Sequence, residues 1–311
     1  MKVLIIANYN CGRFSPFVVE QVDAIRKLGI EIEYFGIVGK GPWGYLKNLP
    51  ALKKKIDEFK PDLIHAHYGL SGLLATLQRE VSVVVTYHGS DIHEGGLNLA
   101  LSRLAMKLAS YNIIVTEHLA KKAKVKKNYS IIPCGVDDER FYHVDKSEAR
   151  TKLHWKLDER IVLFAGAFHR LVKNPNLAKS AVSMVDNVRL QELNGFSREQ
   201  VNWALNASDC LLMTSLNEGS PQVIKEAMLC GLPIVSVNVG DVEAVLGNLS
   251  GHYICSFAPK DVAEKLELAL NFNQRTDGRK RIVELQLTNN LVAKRVLEIY
   301  NATFRYKSNK I

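Results

Sequence analysis

The sequence predicts an α/β protein built from two Rossmann-like parallel-sheet domains facing each other across a cleft. Three observations carry that reading. At 311 residues the chain is about twice the length of a typical single domain. Short apolar runs alternate with amphipathic segments, with no repeat period and no low-complexity tract. The same alternation restarts after a polar stretch at 137–159. Strands separated by helices imply right-handed βαβ units and parallel sheets covered on both faces.

In the first half, strands are expected at 2–7, 30–37, 63–67, 81–87, 113–116 and 130–133. Ser15 and Pro16 read as the N-cap and first residue of a helix carrying Val18, Val22 and Ile25, which Gly29 ends. Leu52, Ile56 and Phe59 mark another helix, stopped by Pro61. In the second half, strands are expected at 161–165, 188–193, 210–214, 233–237 and 252–255. The spacing predicts a last helix over 290–304, with an apolar stripe of Leu291, Val292, Val296, Ile299 and Tyr300. The expected division is a first domain at 1–150 and a second, shortened one at 151–288. Ligands in such sheets bind beyond the carboxyl ends of the strands.

Composition narrows the function classes. Hydrophobic residues make up 47% and charged residues 23%, which excludes a disordered chain. The apolar opening is too short for a signal-peptide core, and no run spans a bilayer. Five scattered cysteines support neither a disulfide framework nor a zinc site, so a reducing, cytoplasmic setting is expected. The net charge of +9 suits anionic partners in general. Nucleic acid is disfavoured, because no recognition module or aromatic interleaving accompanies the basic residues. Lys53, Lys54 and Lys55, and the cluster Lys121, Lys122, Lys124, Lys126 and Lys127, read either as an ordinary solvated face or as a peripheral contact with an anionic membrane.

The most informative segment is NEGSPQVIKEAMLCGLPIVSVNVG at 217–240. A strand ends near Thr214. Ser220 is then expected to cap a helix starting at Pro221 and ended by Gly231. Gly219 would let a ligand approach the backbone, and the free N–H groups at the helix start would attract an anion. Glu218 and Glu226, with seven residues between them, could accept hydrogen bonds from hydroxyls on either side of a phosphate. A sugar nucleotide has that layout. Alternatively, Glu218 merely favours the helix dipole and Glu226 is a solvated partner of Lys225.

These residues resemble the signature of retaining glycosyltransferase family 4. Glu218, Gly219, Ser220, Pro221, Glu226, Ala227, Gly231, Pro233 and Val235 match it in order. Ile132, Pro133, Gly135, Val136, Asp137 and Phe141 match a second landmark, and DLIHAHYGLSG with VVTYHGSDI, within 62–92, a third. The resemblance implies a GT-B fold, in which the C-terminal helix at 289–311 packs back on the first domain, and transfer of a sugar from a nucleoside-diphosphate sugar to a hydroxyl acceptor, with retention and without a metal or other cofactor. The acceptor would be a glycan, a lipid-linked saccharide or a small molecule. His88 takes the place of the family's histidine beside the donor sugar, and His67 is expected on the acceptor side. Gly12, Arg170, Lys173, Gly219, Ser220, Pro221, Gln222 and Glu226 would bind the donor, with Glu218 on its sugar.

Three departures qualify the match. Gly12 stands where relatives carry two adjacent glycines. Ala167 holds the usual arginine place of the phosphate clamp, so Lys173 carries over more directly than Arg170. From Lys173 to Gly195 there is room for only one helix and one strand. A non-catalytic GT-B scaffold and a sugar-nucleotide epimerase stay open as alternatives.

Overall fold

The computed structural model describes residues 1–93 and 95–308. Among them, eleven strands form two parallel sheets. The first contains β1 (Lys2–Asn8), β2 (Glu31–Ile37), β3 (Leu63–His67), β4 (Ser82–Tyr87), β5 (Tyr111–Ile114) and β6 (Tyr129–Ile131), ordered β2-β1-β3-β4-β5-β6. The second contains β7 (Arg160–Phe164), β8 (Val188–Glu192), β9 (Cys210–Met213), β10 (Ile234–Val237) and β11 (His252–Cys255), ordered β11-β10-β9-β7-β8. All eleven expected strands are present, with ends shifted by up to two residues. The short interval after Lys173 holds one helix, Pro175–Val182, and β8.

Each sheet separates two cores, because successive side chains on a strand point to opposite faces. Leu4 and Ile6 of β1 enter one apolar cluster, whereas Val3, Ile5 and Ala7 enter another. Leu163 and Val162 of β7 divide in the same way, as do Leu211 and Leu212 of β9. Burial on both faces explains the near-continuous apolar runs of the sequence.

The chain divides into two compact units: 1–135 joined by the C-terminal helix Asn289–Ser308, and 136–288. The structural division therefore comes earlier than the expected 150/151. Residues 136–150 belong to the second unit because Phe141 is fully buried in its core. Val136 also donates its N–H to Leu287 at 2.9 Å, and the Arg150 guanidinium donates to the Ala207 carbonyl at 2.9 Å. The polar stretch is a lead-in with an apolar anchor. The C-terminal helix buries Val292, Ala293, Val296, Ile299 and Tyr300 against the first unit, beside Val18, Val22 and Ile25.

In both sheets the order of strands reverses beside the first strand, between β1 and β3 and between β7 and β9. Loops leaving the carboxyl ends there part to opposite faces and leave a crevice suited to ligands.

Candidate active site

The second unit's switch point brings two loops together. The segment after β7 carries Arg170 and Lys173, and the segment after β9 carries 214–221. They are stitched by the Leu216 N–H, which donates to the Val172 carbonyl at 2.8 Å. The Thr214 hydroxyl lies 2.9 Å from the carbonyls of Lys173 and Asn174. Gly166 lies under this bridge: a Cβ there would stand 2.8 Å from Cγ of Lys173. Glycine thus lets the lysine stem lie on the backbone, and the ammonium reaches Glu218 Oε1 at 2.6 Å. Lys173 and Glu218 are only 15% and 17% exposed, so the pair is shielded more than a surface ion pair. Arg170 is exposed, and Ala167 is buried.

Ser220 does not cap the helix. The helix runs Gln222–Leu229, Pro221 stands at the N-cap, and no side chain caps it. The Ser220 hydroxyl instead donates to Asp241 Oδ2 at 2.6 Å and accepts from the Lys225 ammonium at 2.5 Å. Lys225 is fully buried, and its charge needs these partners more than the helix end needs a cap. Gly219 is buried as well, and Gly240 packs against its carbonyl. A Cβ on Gly240, whose φ is +65°, would lie 2.3 Å from the Gly219 carbonyl oxygen. The loop bearing Glu218 is therefore clamped from below by backbone contact and by the Ser220–Lys225–Asp241 cluster.

Glu226 is 2% exposed and accepts from Arg198 at 2.8 Å; it is not a solvated partner of Lys225. The Arg198 guanidinium also lies 4.8 Å from the centre of the Phe141 ring. Gln222 Oε1 and Ser215 Oγ are buried with no hydrogen-bond partner in the structure. Sequence reasoning missed Arg198 and Asp241, and it placed Lys225 only as a solvated partner of Glu226. Arg198 had one local signal, since Ser197 and Gln200 form a capping box that starts its helix.

The first unit gathers uncharged groups. His65 and His67 point to the same face of β3, with ring centres 4.5 Å apart. His67 Nδ1 lies 3.0 Å from Nε2 of His88, which follows β4, and the Cys134 sulfur lies 3.5 Å from Nδ1 of His88. His65 bridges the Tyr300 hydroxyl at 2.6 Å and the Thr86 hydroxyl at 2.7 Å. Burial lowers the His67 pKa to about 3. It also holds His65 and His88 well below the usual imidazole value, with neighbouring histidines adding to the effect. Asp91 moves the other way, up to about 6, because burial outweighs the N–H bonds from Gly89 and Gly69.

His88 is partly exposed, whereas His67 is fully buried. His67 therefore supports His88 from behind and does not line an open acceptor surface. Gly12 lies in an exposed turn with φ +67°, its N–H donating to the Tyr9 carbonyl. Among the described residues, no group of three His, Cys, Asp or Glu side chains is arranged to hold a metal ion.

Residues 6–140 match the model for Glycosyltransferase Family 4, and residues 163–271 match that for Glycosyl transferases group 1. The chain belongs to this glycosyltransferase family. It is 29% identical over 220 residues to a putative teichuronic acid biosynthesis glycosyltransferase, TuaC, of Bacillus subtilis; the match covers 60% of this chain and 56% of that protein. It is 26% identical over 256 residues to a D-inositol 3-phosphate glycosyltransferase of Mycobacterium marinum, covering 63% and 54%. The chain thus spans little more than half the length of these relatives.

Among solved structures, sucrose-phosphate synthase from Thermosynechococcus elongatus superposes with a TM-score of 0.84 at 17% identity, over 98% of this chain and 99% of that one. Anabaena HepE in complex with UDP gives 0.77 at 15% identity, over 97% and 100%. The chain has the GT-B fold. UDP-GlcNAc 2-epimerase from Methanocaldococcus jannaschii gives 0.61 at 12% identity, over 97% and 100%, so fold alone does not separate transfer from epimerisation.

Proposed function

We propose that the protein transfers a sugar from a nucleoside-diphosphate sugar to a hydroxyl acceptor with retention of configuration. The observation that carries this reading is the Lys173–Glu218 contact at the switch point of the second sheet, one helix away from the buried Glu226–Arg198 pair. Lys173 would meet the diphosphate, and its stabilisation would grow as the leaving group gains negative charge. Glu218 would accept hydrogen bonds from donor-sugar hydroxyls and Glu226 from the ribose. Buried Gln222 Oε1 and Ser215 Oγ add acceptors without protein partners, which suits a hydroxyl-rich ligand. Pro221 has no N–H, so N–H groups at the loop and helix start, including that of Gln222, would supply the neutral donors.

The role of His88 beside the donor sugar is proposed from the family motif. A neutral imidazole, kept so by burial, suits contact with an uncharged hydroxyl. Because Lys173 and backbone donors meet the diphosphate charge, we assign the reaction no divalent metal; unchanged turnover after chelation checks this. TuaC's name favours a saccharide acceptor from polysaccharide assembly. Retention rests on the family resemblance.

The test is a thermal-shift screen with UDP, GDP and ADP sugars, followed by proton NMR of products formed from the stabilising donor and a mixture of saccharide acceptors. A new glycosidic linkage with the donor's anomeric configuration supports the reading. Interconversion of donor alone would make it an epimerase, and donor binding without turnover would make it a scaffold.

A further inference from the structure

The positive charge is concentrated. Between Gly95 and Gly135 there are seven lysines and arginines and one acidic residue, Glu117; 7 − 1 = +6 of the chain's +9. On the fold this segment includes the helix Gly96–Leu108, the helix Glu117–Ala123 and the turn into β6. Arg103, Lys107, Lys124, Lys126 and Lys127 line a cavity of about 460 Å³ floored by Met106, Ala109, Ala123 and Val125. Arg103 is occupied, donating to the carbonyls of Lys122 and Ala123. Among the described residues no acidic side chain pairs with Lys107, Lys124, Lys126 or Lys127.

The helix beside this cavity also exposes apolar side chains. Ser102, Ala105 and Met106 face inward, yet Leu97, Leu104 and Leu108 are 65%, 44% and 46% exposed. Their spacing of i, i+7 and i+11 puts them on one stripe. Leu104 and Leu108 alternate in sequence with Arg103 and Lys107, which line the cavity. A leucine stripe bordered by unpaired lysines is the pattern of a helix lying in a membrane interface.

We infer that this face of the first unit docks on an anionic lipid bilayer, with the leucine stripe at the acyl boundary and lysines of the cavity on headgroup phosphates. Charge complementarity selects the anionic surface, and the leucines select a bilayer over a purely polyanionic partner. The surface uses none of the residues assigned to the donor, so donor binding and membrane binding can succeed or fail separately.

The test is co-sedimentation of the full chain with vesicles of phosphatidylcholine alone and of equimolar phosphatidylcholine and phosphatidylglycerol. The expected result is binding to the second only. The triple variant Lys124→Gln/Lys126→Gln/Lys127→Gln should weaken it about 10²-fold, at about five-fold per charge. The double variant Leu104→Ser/Leu108→Ser should weaken it at least about tenfold, given the transfer energy of two leucines. Both variants should keep the wild-type melting temperature and donor-induced shift, which excludes misfolding. Equal binding to both vesicles, or none to either, overturns the inference. So does displacement by millimolar inorganic phosphate, which would mark a free-phosphate site. Binding to single-stranded RNA that matches vesicle binding and ignores the leucine variant would mark a nucleic-acid surface instead.

Discussion

The two units share a strand order and a place for polar groups, but they fill that place in opposite ways. At the ends of β3 and β4 the first unit collects His65, His67 and His88, which burial keeps neutral. In the segments that follow β7, β8, β9 and β10 the second unit collects charges, each held by a partner of opposite sign: Lys173 with Glu218, Arg198 with Glu226, Lys225 with Asp241. One backbone architecture thus supports a neutral cluster in one unit and a charged one in the other. Side chains at the strand ends set that difference, since the two sheets share their strand order and their parallel pairing.

The largest effect is expected where a charge is most deeply buried. Lys225→Met leaves Asp241 and Ser220 without their cation and should cost about 3–5 kcal/mol in urea unfolding, as breaking buried pairs does. Lys225→Met/Asp241→Asn should cost less than the two single changes added together. Strict additivity would mean that the cluster does not act as a unit.

Lys173→Ala comes next. Turnover should fall about 10²- to 10³-fold, the usual loss when one preorganised donor is removed. Because Lys173 is paired and mostly buried, stability should also fall, by about 1–3 kcal/mol, as Glu218 loses its partner. Full stability with normal turnover would put the clamp elsewhere. Arg198→Ala is expected to raise the donor KM about tenfold, by releasing Glu226 from its hydrogen-bonded position, while kcat changes less.

The neutral cluster is probed by pH. Its three histidines bind protons more weakly folded than unfolded. Their contribution is complete above the ordinary imidazole value of 6.5 and is lost as pH falls towards about 3, the value for His67. Asp91 opposes them: its pKa rises from 3.8 to about 6, so its contribution is present at low pH and is lost as pH rises through 6. Each group carries about 1.4 kcal/mol per pH unit within its window. Between pH 6 and pH 4 three groups act against one, so the first unit should lose stability on acidification. His67→Phe should flatten that slope in urea titrations; an unchanged slope would mean these rings do not carry it.

How much of this was legible in the sequence follows from how local each signal is. Strands buried on both faces read as apolar runs, so both sheets could be traced from residues 2 to 255. The unit boundary could not, because Phe141 is a single apolar anchor inside a polar stretch. Among site residues, Lys173 and Glu218 lie 45 residues apart and meet only through the strand order of the second sheet. Ser220 read as a cap by local pattern, but a buried lysine claimed its hydroxyl. The capping box of Ser197 and Gln200 marks only the start of the helix that carries Arg198, and Asp241 carries no local mark, since the partners of both come from other elements. His67 sits on the expected side of β3, yet alternation along a strand does not say how deeply that side is covered.

The central claim, that the charged switch point of the second unit binds a nucleoside diphosphate, is tested most directly by calorimetric titration with UDP, GDP and ADP. Wild-type protein should bind at least one of them with one site per chain. Lys173→Ala should weaken that binding by about tenfold or more, the loss expected for a charge-assisted contact of roughly 1.5–3 kcal/mol. If none of the three binds, or if Lys173→Ala binds as wild type does, the account of this site is wrong.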